Sequence, residues 1–327
     1  MSLAEIPVLD LGPDWPVEAL GRCPDRAHAL LDGAQGALPD ALARLADRMA
    51  RRWLARSGAP YLDELDRTAA ALGRPGAHFL NVSYEWGCST VAAPGLQGGA
   101  PRLARVLDWP TPGLGRWAIA MRLKGSAGPW AAVGWPGYGG VLQGVAPGRF
   151  AAALNQAPMP RPVGIYPADW AVNAARTWSR PRLTPAHLLR RVFETADGFA
   201  TARAMLAEAA LSTGAIFTLA GCAAGETAVI ERTPDAAAFP EGPALAVNAW
   251  RSPRLAGRPR GEDNPGRLAA IAALAPGFDA PETWLAPPVL NDRTRLVFVA
   301  EPVTGAFLAQ GFERRRPVTA LLRADVA

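Results

Sequence analysis

Lysine is almost absent from this chain of 327 residues, because Lys124 is the only lysine among 34 basic side chains. A lysine Schiff base or a Ser–Lys catalytic pair would depend on this one residue, which lies in a glycine-flanked turn. The three histidines lie far apart in the chain. None has a second His or Cys at metal-ligand spacing, which argues against a zinc site.

Cysteine is also scarce, since Cys23, Cys88 and Cys222 form neither a C-x-x-C pair nor an even disulfide set. Reduced thiols are typical of cytosolic proteins. Residues 1–20 have no basic start and no apolar run, and no stretch reaches the roughly 18–20 apolar residues of a membrane span. We therefore expect a cytoplasmic protein without stable membrane insertion. No basic block is interleaved with aromatic residues, so nucleic acid is not an expected partner.

The hydrophobic share of 50% predicts a large buried core. Charge is divided unevenly along the chain. Residues 1–87 carry 12 acidic and nine basic side chains, whereas residues 88–327 carry 17 acidic and 25 basic ones. A segment that ends at residue 87 is thus opposite in sign to the rest and could dock on it by charge.

Hydrophobic periodicity predicts helices over 37–56, over Leu62–Leu72, within 184–211 and over 265–274. From residue 79 onward, short apolar runs broken by Gly and Pro predict strands and hairpins. The order of elements favours two antiparallel sheets flanked by helices, and no G-x-G-x-x-G motif follows a first strand. The predicted strands lie at Cys88–Ala92, Trp117–Leu123, Trp130–Val133, Gly140–Val145, Phe150–Leu154, 214–220, 226–231, Leu245–Asn248 and in two runs within 295–323.

Gly87-Cys88 stands where the acidic segment ends and the strand-rich body begins. Cleavage of this peptide bond would make Cys88 an N-terminal nucleophile. Its freed α-amine has an ordinary pKa of about 7.7–8.0 and can act as a general base near neutral pH, so no histidine is needed. We also expect Gly87 to tolerate the strained backbone that an N→S acyl shift requires.

Several motifs follow Cys88 in a fixed order. They are Arg105-x-x-Asp108, Gly137-Tyr138-Gly139-Gly140, Phe150 to Asn155-Gln156, Val247-Asn248-Ala249-Trp250, and Asn264 to Arg267-Leu268. With these motifs the chain resembles the N-terminal-nucleophile amidases of the acid ceramidase, N-acylethanolamine acid amidase and choloylglycine hydrolase group. The likeness is greatest to the acid ceramidase branch, from about Tyr84 to the C-terminus. It departs from that branch at Gln156, where a Glu is usual, and by one extra residue between Cys and Arg.

The resemblance implies a role for each matched residue. Asp108 would hold the α-amine of Cys88, and Arg105 would lower the thiol pKa and orient the substrate carbonyl. Asn248 would stabilise the oxyanion, Asn155 would be an additional donor, and Arg267 would brace the site. An apolar acyl group needs apolar walls. The residues that we expect to bind substrate are Trp109, Trp135, Tyr138, Gln156 and Trp250.

The sequence therefore predicts the four-layer αββα sandwich of these hydrolases over 88–327, preceded by a mainly helical segment, 1–87, that is a propeptide or α-subunit-like. The expected function is hydrolysis of a linear N-acyl amide, a small-molecule substrate, through a thioester on Cys88 after self-cleavage at Gly87–Cys88. No cofactor is implied. Two alternatives remain open: an acyltransferase like the isopenicillin N acyltransferase-type relatives, and a non-catalytic lipid-binding relative.

Overall fold

The computed structural model describes residues 3–35, 39–82, 87–95, 99–274 and 280–326. The expected beginning of the family resemblance at Tyr84 and of the first predicted helix at 37 lie outside these residues. No helix in these ranges combines the length and the apolar character that a membrane crossing requires.

Runs of consecutive helices and runs of consecutive strands follow one another along the described chain. The strands are β1 Val8–Asp10, β2 Gly87–Pro94, β3 Pro101–Asp108, β4 Ile119–Gly125, β5 Gly128–Gly134, β6 Gln143–Ala146, β7 Phe150–Gln156, β8 Ala215–Ala220, β9 Thr227–Arg232, β10 Ala237–Ala238, β11 Ala244–Ala246, β12 Thr294–Glu301, β13 Ala306–Glu313, β14 Arg316–Pro317 and β15 Leu322–Ala324. The helices are α1 Trp15–Arg22, α2 Pro24–Gln35, α3 Asp40–Arg56, α4 Leu62–Leu72, α5 Ala77–Asn81, α6 Tyr166–Ser179, α7 Pro185–Thr195, α8 Phe199–Glu208 and α9 Asn264–Ala272.

Two sheets, almost wholly antiparallel, face each other. In the described part of the chain the first has the order β1-β4-β5-β6-β7-β8-β9-β10, and the second has β11-β2-β3-β12-β13-β14 with β15 paired to β13. Side chains alternate across β3 in the second sheet. Leu103 and Leu107 enter the core between the sheets, whereas Ala104 and Val106 enter a second cluster on the outer face. This period of two is what places functional groups on both sides of one strand.

Helices cover the outer faces of both sheets. α7 and α8 pack on the first sheet, where Thr184 caps α7 by accepting a hydrogen bond from the backbone N–H of His187 at 3.2 Å. α9 packs on β2 and β11 of the second sheet through Ile271. These layers form the predicted αββα sandwich.

The segment before Gly87 is built into this sandwich. β1 adds a parallel strand to β4, and Trp15 belongs to the main hydrophobic cluster, where it packs edge-on against Trp130 of β5. Trp53 of α3 donates its indole N–H to the Thr177 carbonyl of α6 at 3.0 Å. We call the described residues before Gly87 the prefix. The prefix shares the main core, so it is not packed as a separate unit.

His78 of α5 joins three helices of the prefix. Its Nδ1 lies 3.2 Å from Asp47 Oδ2, and its Nε2 lies 2.8 Å from Asp66 Oδ1. Asp47 Oδ1 also accepts the backbone N–H groups of His78 and Phe79. Burial lowers the pKa of His78, but the two carboxylates outweigh this effect and raise the pKa above its ordinary value.

Candidate active site

The predicted hairpin brings Arg105 and Asp108 beside Cys88. β2 and β3 pair antiparallel with Gly87 opposite Asp108, Cys88 opposite Leu107 and Thr90 opposite Arg105. The separation of 17 positions between Cys88 and Arg105 is therefore the path along β2, through the connection and back along β3.

The Cys88 thiol lies between the two sheets and is fully buried. Arg105 Nη2 donates to Cys88 Sγ at 2.9 Å and to the Leu154 carbonyl at 2.9 Å. Burial raises the pKa of the Cys88 thiol, and the guanidinium of Arg105 opposes that rise. Arg105 Nε and Nη1 are buried without a hydrogen-bond partner among the described residues. The guanidinium that contacts the sulfur thus has two nitrogen donors, Nε and Nη1, with no assigned acceptor.

A buried ion pair occupies the opposite side of the second sheet. Arg267 of α9 donates from Nη2 to Asp108 Oδ2 at 2.8 Å and from Nε to Ser89 Oγ at 3.0 Å. Thr294 of β12 donates to Asp108 Oδ1 at 2.9 Å. Burial raises the pKa of Asp108 above its ordinary value. The charge of Arg267 and the hydrogen bond from Thr294 oppose this rise without cancelling it. Ser89 and Asp108 face α9 because their positions alternate with Cys88 and Leu107.

The side chain of Asn248 binds the backbone nitrogen of Cys88. Asn248 Oδ1 accepts the Cys88 N–H at 2.6 Å, and its Nδ2 donates to the Gln156 carbonyl at 2.8 Å. The backbone N–H of Asn248 donates to Asn264 Oδ1 at 3.0 Å. The amide orientation of Asn248 follows from this network, since the Gln156 carbonyl accepts only from a donor.

Gly87 is the first residue of β2 and is half-buried. A Cβ at this position would lie 3.5 Å from Asp108 Cβ, which is an ordinary contact. The tolerance of Gly87 for the strained backbone of an N→S acyl shift stays a prediction.

Asn155 lies on β7, close to the site, and its side-chain oxygen and nitrogen each bind another group. Its Oδ1 accepts from Thr90 Oγ1 at 2.7 Å, and its Nδ2 donates to the Ala246 carbonyl at 3.2 Å. These contacts tie the two sheets together. The role of Asn155 as an additional oxyanion donor stays a prediction.

A cavity of about 560 Å³ lies between part of the prefix and the body of the sandwich. We call it the apolar cavity. Four of the expected substrate-binding residues line it: Trp109, Trp135, Tyr138 and Gln156. Trp135 packs edge-on against both Trp109 and Tyr138, with ring centroids 5.8 and 6.2 Å apart. The prefix contributes the opposite wall, with Leu30, Leu31, Trp53, Leu72, Phe79 and Val82.

Two smaller cavities adjoin the apolar one. A polar cavity of about 270 Å³ contains Gly87 and Asp108, and a third cavity of about 300 Å³ contains Trp250. Gln156, Met159 and Arg260 line all three. Trp250 therefore shares a cavity with Gln156 but not with Trp109, Trp135 or Tyr138.

The sequence did not indicate Thr294, Ser89 or the Leu154 carbonyl as members of the site. Ser89 directly follows Cys88 in the sequence, and this position could have indicated that Ser89 belongs to the site. Thr294 is 186 residues from Asp108 and has no distinguishing pattern around it.

No protein-family model and no curated protein sequence matches this chain. Solved structures do. A Caenorhabditis elegans N-acylethanolamine-hydrolyzing acid amidase ortholog is 21% identical, with a TM-score of 0.50, over 66% of this chain and 93% of that one. This likeness confirms the predicted fold of N-terminal-nucleophile hydrolases.

Two further solved structures match with lower TM-scores of 0.42. Penicillin V acylase from Agrobacterium tumefaciens is 14% identical, over 73% of this chain and 86% of that chain. A mutant of the conjugated bile acid hydrolase from Clostridium perfringens is 8% identical, over 73% of this chain and 92% of that chain.

Proposed function

We propose that this chain is the precursor of an amide hydrolase that cuts its own backbone between Gly87 and Cys88 and then uses Cys88 as an N-terminal nucleophile. The observation that carries the proposal is the environment of Cys88. Arg105 Nη2 lies 2.9 Å from its sulfur, and Asn248 Oδ1 lies 2.6 Å from its backbone nitrogen. Both the attacking atom and the nitrogen of the bond to be cut have a polar partner.

In the self-cleavage step, Cys88 Sγ attacks the carbonyl carbon of Gly87. The C–N bond between Gly87 and Cys88 breaks, and the nitrogen gains the proton that the thiol loses. Water hydrolyses the resulting thioester, which gives a Gly87 carboxylate, a free thiol and a free α-amine. Asn248 Oδ1 already accepts the N–H of the departing nitrogen and continues to hold it as an amine.

In turnover, the α-amine of Cys88 accepts the thiol proton, and the thiolate attacks the carbonyl carbon of R–CO–NH–R′. The tetrahedral intermediate collapses to a thioester, and the leaving amine takes the proton from the ammonium group. Water, activated by the same amine, attacks the thioester. The acid R–COOH leaves and the thiol is restored, so one water is consumed for each amide cleaved.

The negative oxygen of the intermediate needs preorganised donors. Arg105 supplies candidates, because its Nε and Nη1 have no partner among the described residues. Asn248 is the second candidate. Its Nδ2 gives one N–H to the Gln156 carbonyl and retains another.

The apolar cavity supports an apolar acyl group on the substrate. Its volume of about 560 Å³ and its tryptophan walls suit a hydrocarbon chain. The C. elegans protein of the same fold is named for hydrolysing N-acylethanolamines. We extend to this chain the broader class, a linear N-acyl amide.

Self-cleavage would give fragments of 87 and 240 residues, which we propose remain associated. Glu64 of α4 binds Arg190 of α7 with both carboxylate oxygens, at 2.5 and 2.8 Å. Tyr61 donates to Glu194 Oε2 at 2.7 Å across the same boundary. A cytoplasmic location belongs to the same proposal and is supported by three free cysteines.

Intact mass spectrometry of the purified protein, followed by a screen of N-acyl amides, tests the proposal. We expect two fragments that co-elute in gel filtration, and fatty acid release that Cys88→Ala abolishes. Amide hydrolysis by a protein that remains one 34.4 kDa chain would contradict the self-cleavage. Added amine acceptors separate the alternatives, since an acyltransferase forms new amides. A chain that neither cleaves itself nor reacts with thiol electrophiles would be a non-catalytic relative.

A further inference from the structure

The polar cavity beside Gly87 and Asp108 is rich in arginine. Its volume is about 270 Å³, and Arg258, Arg260 and Arg293 line it.

Among the described residues that line the polar cavity, two carboxylates stand against three arginines. Asp108 is already paired with Arg267 at 2.8 Å, outside the set of lining arginines. Glu262 approaches Arg293 only to 3.7 Å, and both side chains are largely exposed, so this pair is weak. The cavity therefore carries net positive charge and favours an anion.

Arg258 is held in place and still has a donor to offer. Its backbone exchanges hydrogen bonds of 2.7 and 2.9 Å with Met159, and its Cζ lies 5.4 Å from the ring centroid of Tyr166. Arg258 Nε is buried without a hydrogen-bond partner among the described residues. Asp169 also feels the charge of Arg258, and its Oδ2 is buried without a hydrogen-bond partner among the described residues, but Asp169 does not line the polar cavity.

The arginine-bearing loop is attached directly to the candidate active site. The backbone N–H of Arg260 donates to the Asn248 carbonyl at 3.0 Å, and Asn264 Nδ2 donates to the Arg260 carbonyl at 2.8 Å. Gly261 has a φ of 73°, and a Cβ there would lie 2.9 Å from Arg267 Nη1. Glycine at this position thus lets the loop approach the site closely.

We propose that the polar cavity binds the amine half of the substrate and that this half carries a carboxylate. The substrate would then be an N-acyl amino acid rather than an N-acyl amino alcohol. This inference rests on the proposed function. The apolar and polar cavities meet at Gln156 and Met159, so a substrate with its acyl chain in one and its head group in the other places its amide bond at Gln156. The carbonyl of Gln156 binds the same Asn248 side chain that accepts the Cys88 N–H.

Arginine geometry favours a carboxylate in particular. A guanidinium donates two parallel hydrogen bonds to a carboxylate, and such charge-assisted bonds are stronger than neutral ones. A neutral alcohol in the same cavity would bring no negative charge to the Arg258 guanidinium, whose buried Nε needs an acceptor. Sites built for a polar group discriminate strongly against analogues that lack it.

The test compares three substrates with the same acyl chain: N-dodecanoyl-L-alanine, its primary amide N-dodecanoyl-L-alaninamide, and N-dodecanoylethanolamine. Release of dodecanoic acid gives kcat/KM for each. We expect a preference of at least tenfold for the carboxylate over its neutral amide, expressed mainly in KM and weakening as salt is added. Calorimetric titration of the Cys88→Ala protein, which does not turn over, with N-dodecanoyl-L-alanine and its amide gives the preference in binding independently of turnover.

The variant Arg258→Gln should reduce the carboxylate preference towards one. The matched control is Arg191→Gln, which removes one positive charge from an exposed position on α7 that lines none of the three cavities. We expect this control to retain the preference. Equal or better hydrolysis of the two neutral substrates by the unaltered protein would overturn the inference and leave the proposed hydrolase standing. An absence of turnover with all three, together with binding that ignores the carboxylate, would overturn both.

Discussion

Replacing Glu64 with alanine should lower the free energy of unfolding by about 3 kcal/mol, because it removes one partner of a buried ion pair that joins the prefix to the body. The side chains of Arg190 and Glu64 are only 3% and 9% exposed. Arg190 also lies over the rings of Tyr61 and Trp15, with its Cζ 3.8 and 4.6 Å from their centroids. The guanidinium cannot reach water without disturbing these contacts.

The size of the effect follows from what remains around Arg190. Loss of one partner of a buried pair costs about 3–5 kcal/mol. After the change, Arg190 still donates to Glu194 Oε1 at 2.7 Å and to the Gly139 carbonyl at 3.0 Å, so we expect the lower end of this range. Glu64→Gln retains an acceptor oxygen of similar shape. We expect it to cost about 1–2 kcal/mol, since a charge-assisted hydrogen bond becomes a neutral one.

The assay is urea unfolding followed by tryptophan fluorescence, with Cys88→Ala present in every sample so that the chain stays in one piece. The matched control is Asp292→Ala, which breaks an exposed pair with Arg315 at 2.9 Å and should cost less than about 1 kcal/mol. The reasoning is refuted if Glu64→Ala costs no more than this control. In the cleaved protein, Glu64→Ala should also let the two fragments separate in gel filtration.

Three further predictions concern the site and its surroundings. Cys88→Ala should abolish both self-cleavage and turnover, measured by intact mass and fatty acid release, whereas Cys222→Ala should retain both; a folded but inactive Cys222→Ala would identify a different nucleophile. Asn248→Asp should slow turnover roughly a hundredfold, because it places an acceptor against the Gln156 carbonyl and removes a donor, and near-normal turnover would show that the oxyanion donor lies elsewhere. His78 has a raised pKa in the folded chain, so its stabilising charge is present below about pH 6.5 and is lost as the pH rises through the folded pKa. The unfolding midpoint of the unaltered chain should therefore fall over that interval relative to His78→Gln, and parallel curves would contradict this.

Local pattern was sufficient to predict the elements that carry the nucleophile. The helix over Leu62–Leu72 is present with the predicted bounds, and the predicted strand Cys88–Ala92 lies within β2. The hairpin that brings Arg105 to Cys88 followed from a short separation along the chain. Short-range geometry of this kind is fixed by strand length and turn length, so one sequence suffices to predict it.

Long-range contacts were out of reach of pattern. Asn248 and Arg267 were identified through the family resemblance, because nothing in their own neighbourhoods indicates that they meet Cys88 and Asp108. The Glu64–Arg190 pair joins residues 126 positions apart and was missed. The parallel pairing of β1 with β4 was also missed, since a three-residue strand gives almost no periodic signal.

α6, Tyr166–Ser179, shows why apolar periodicity failed locally. Asp169 is buried in this helix, whereas Tyr166 and Trp170 are exposed. A helix that buries a carboxylate and exposes aromatic residues inverts the pattern by which amphipathic helices are recognised. The carboxylate is tolerated because the backbone N–H groups of Val163 and Gly164 bind it at 2.8 and 3.0 Å.

The alternation along β2 also explains why a cut after Gly87 would be compatible with the fold. Cys88 faces the layer between the sheets with Arg105, and Ser89 faces α9 with Arg267, so the site needs β2 to stay paired on both sides. Gly87 is the first of the eight residues of β2 and pairs with Asp108. Under the proposed function, cleavage therefore separates Gly87 from β2 and leaves the other seven residues in register. The new α-amine forms at the end of the strand, where Asn248 Oδ1 already binds that nitrogen. A cut further into β2 would remove Cys88 or unpair the strand that positions it.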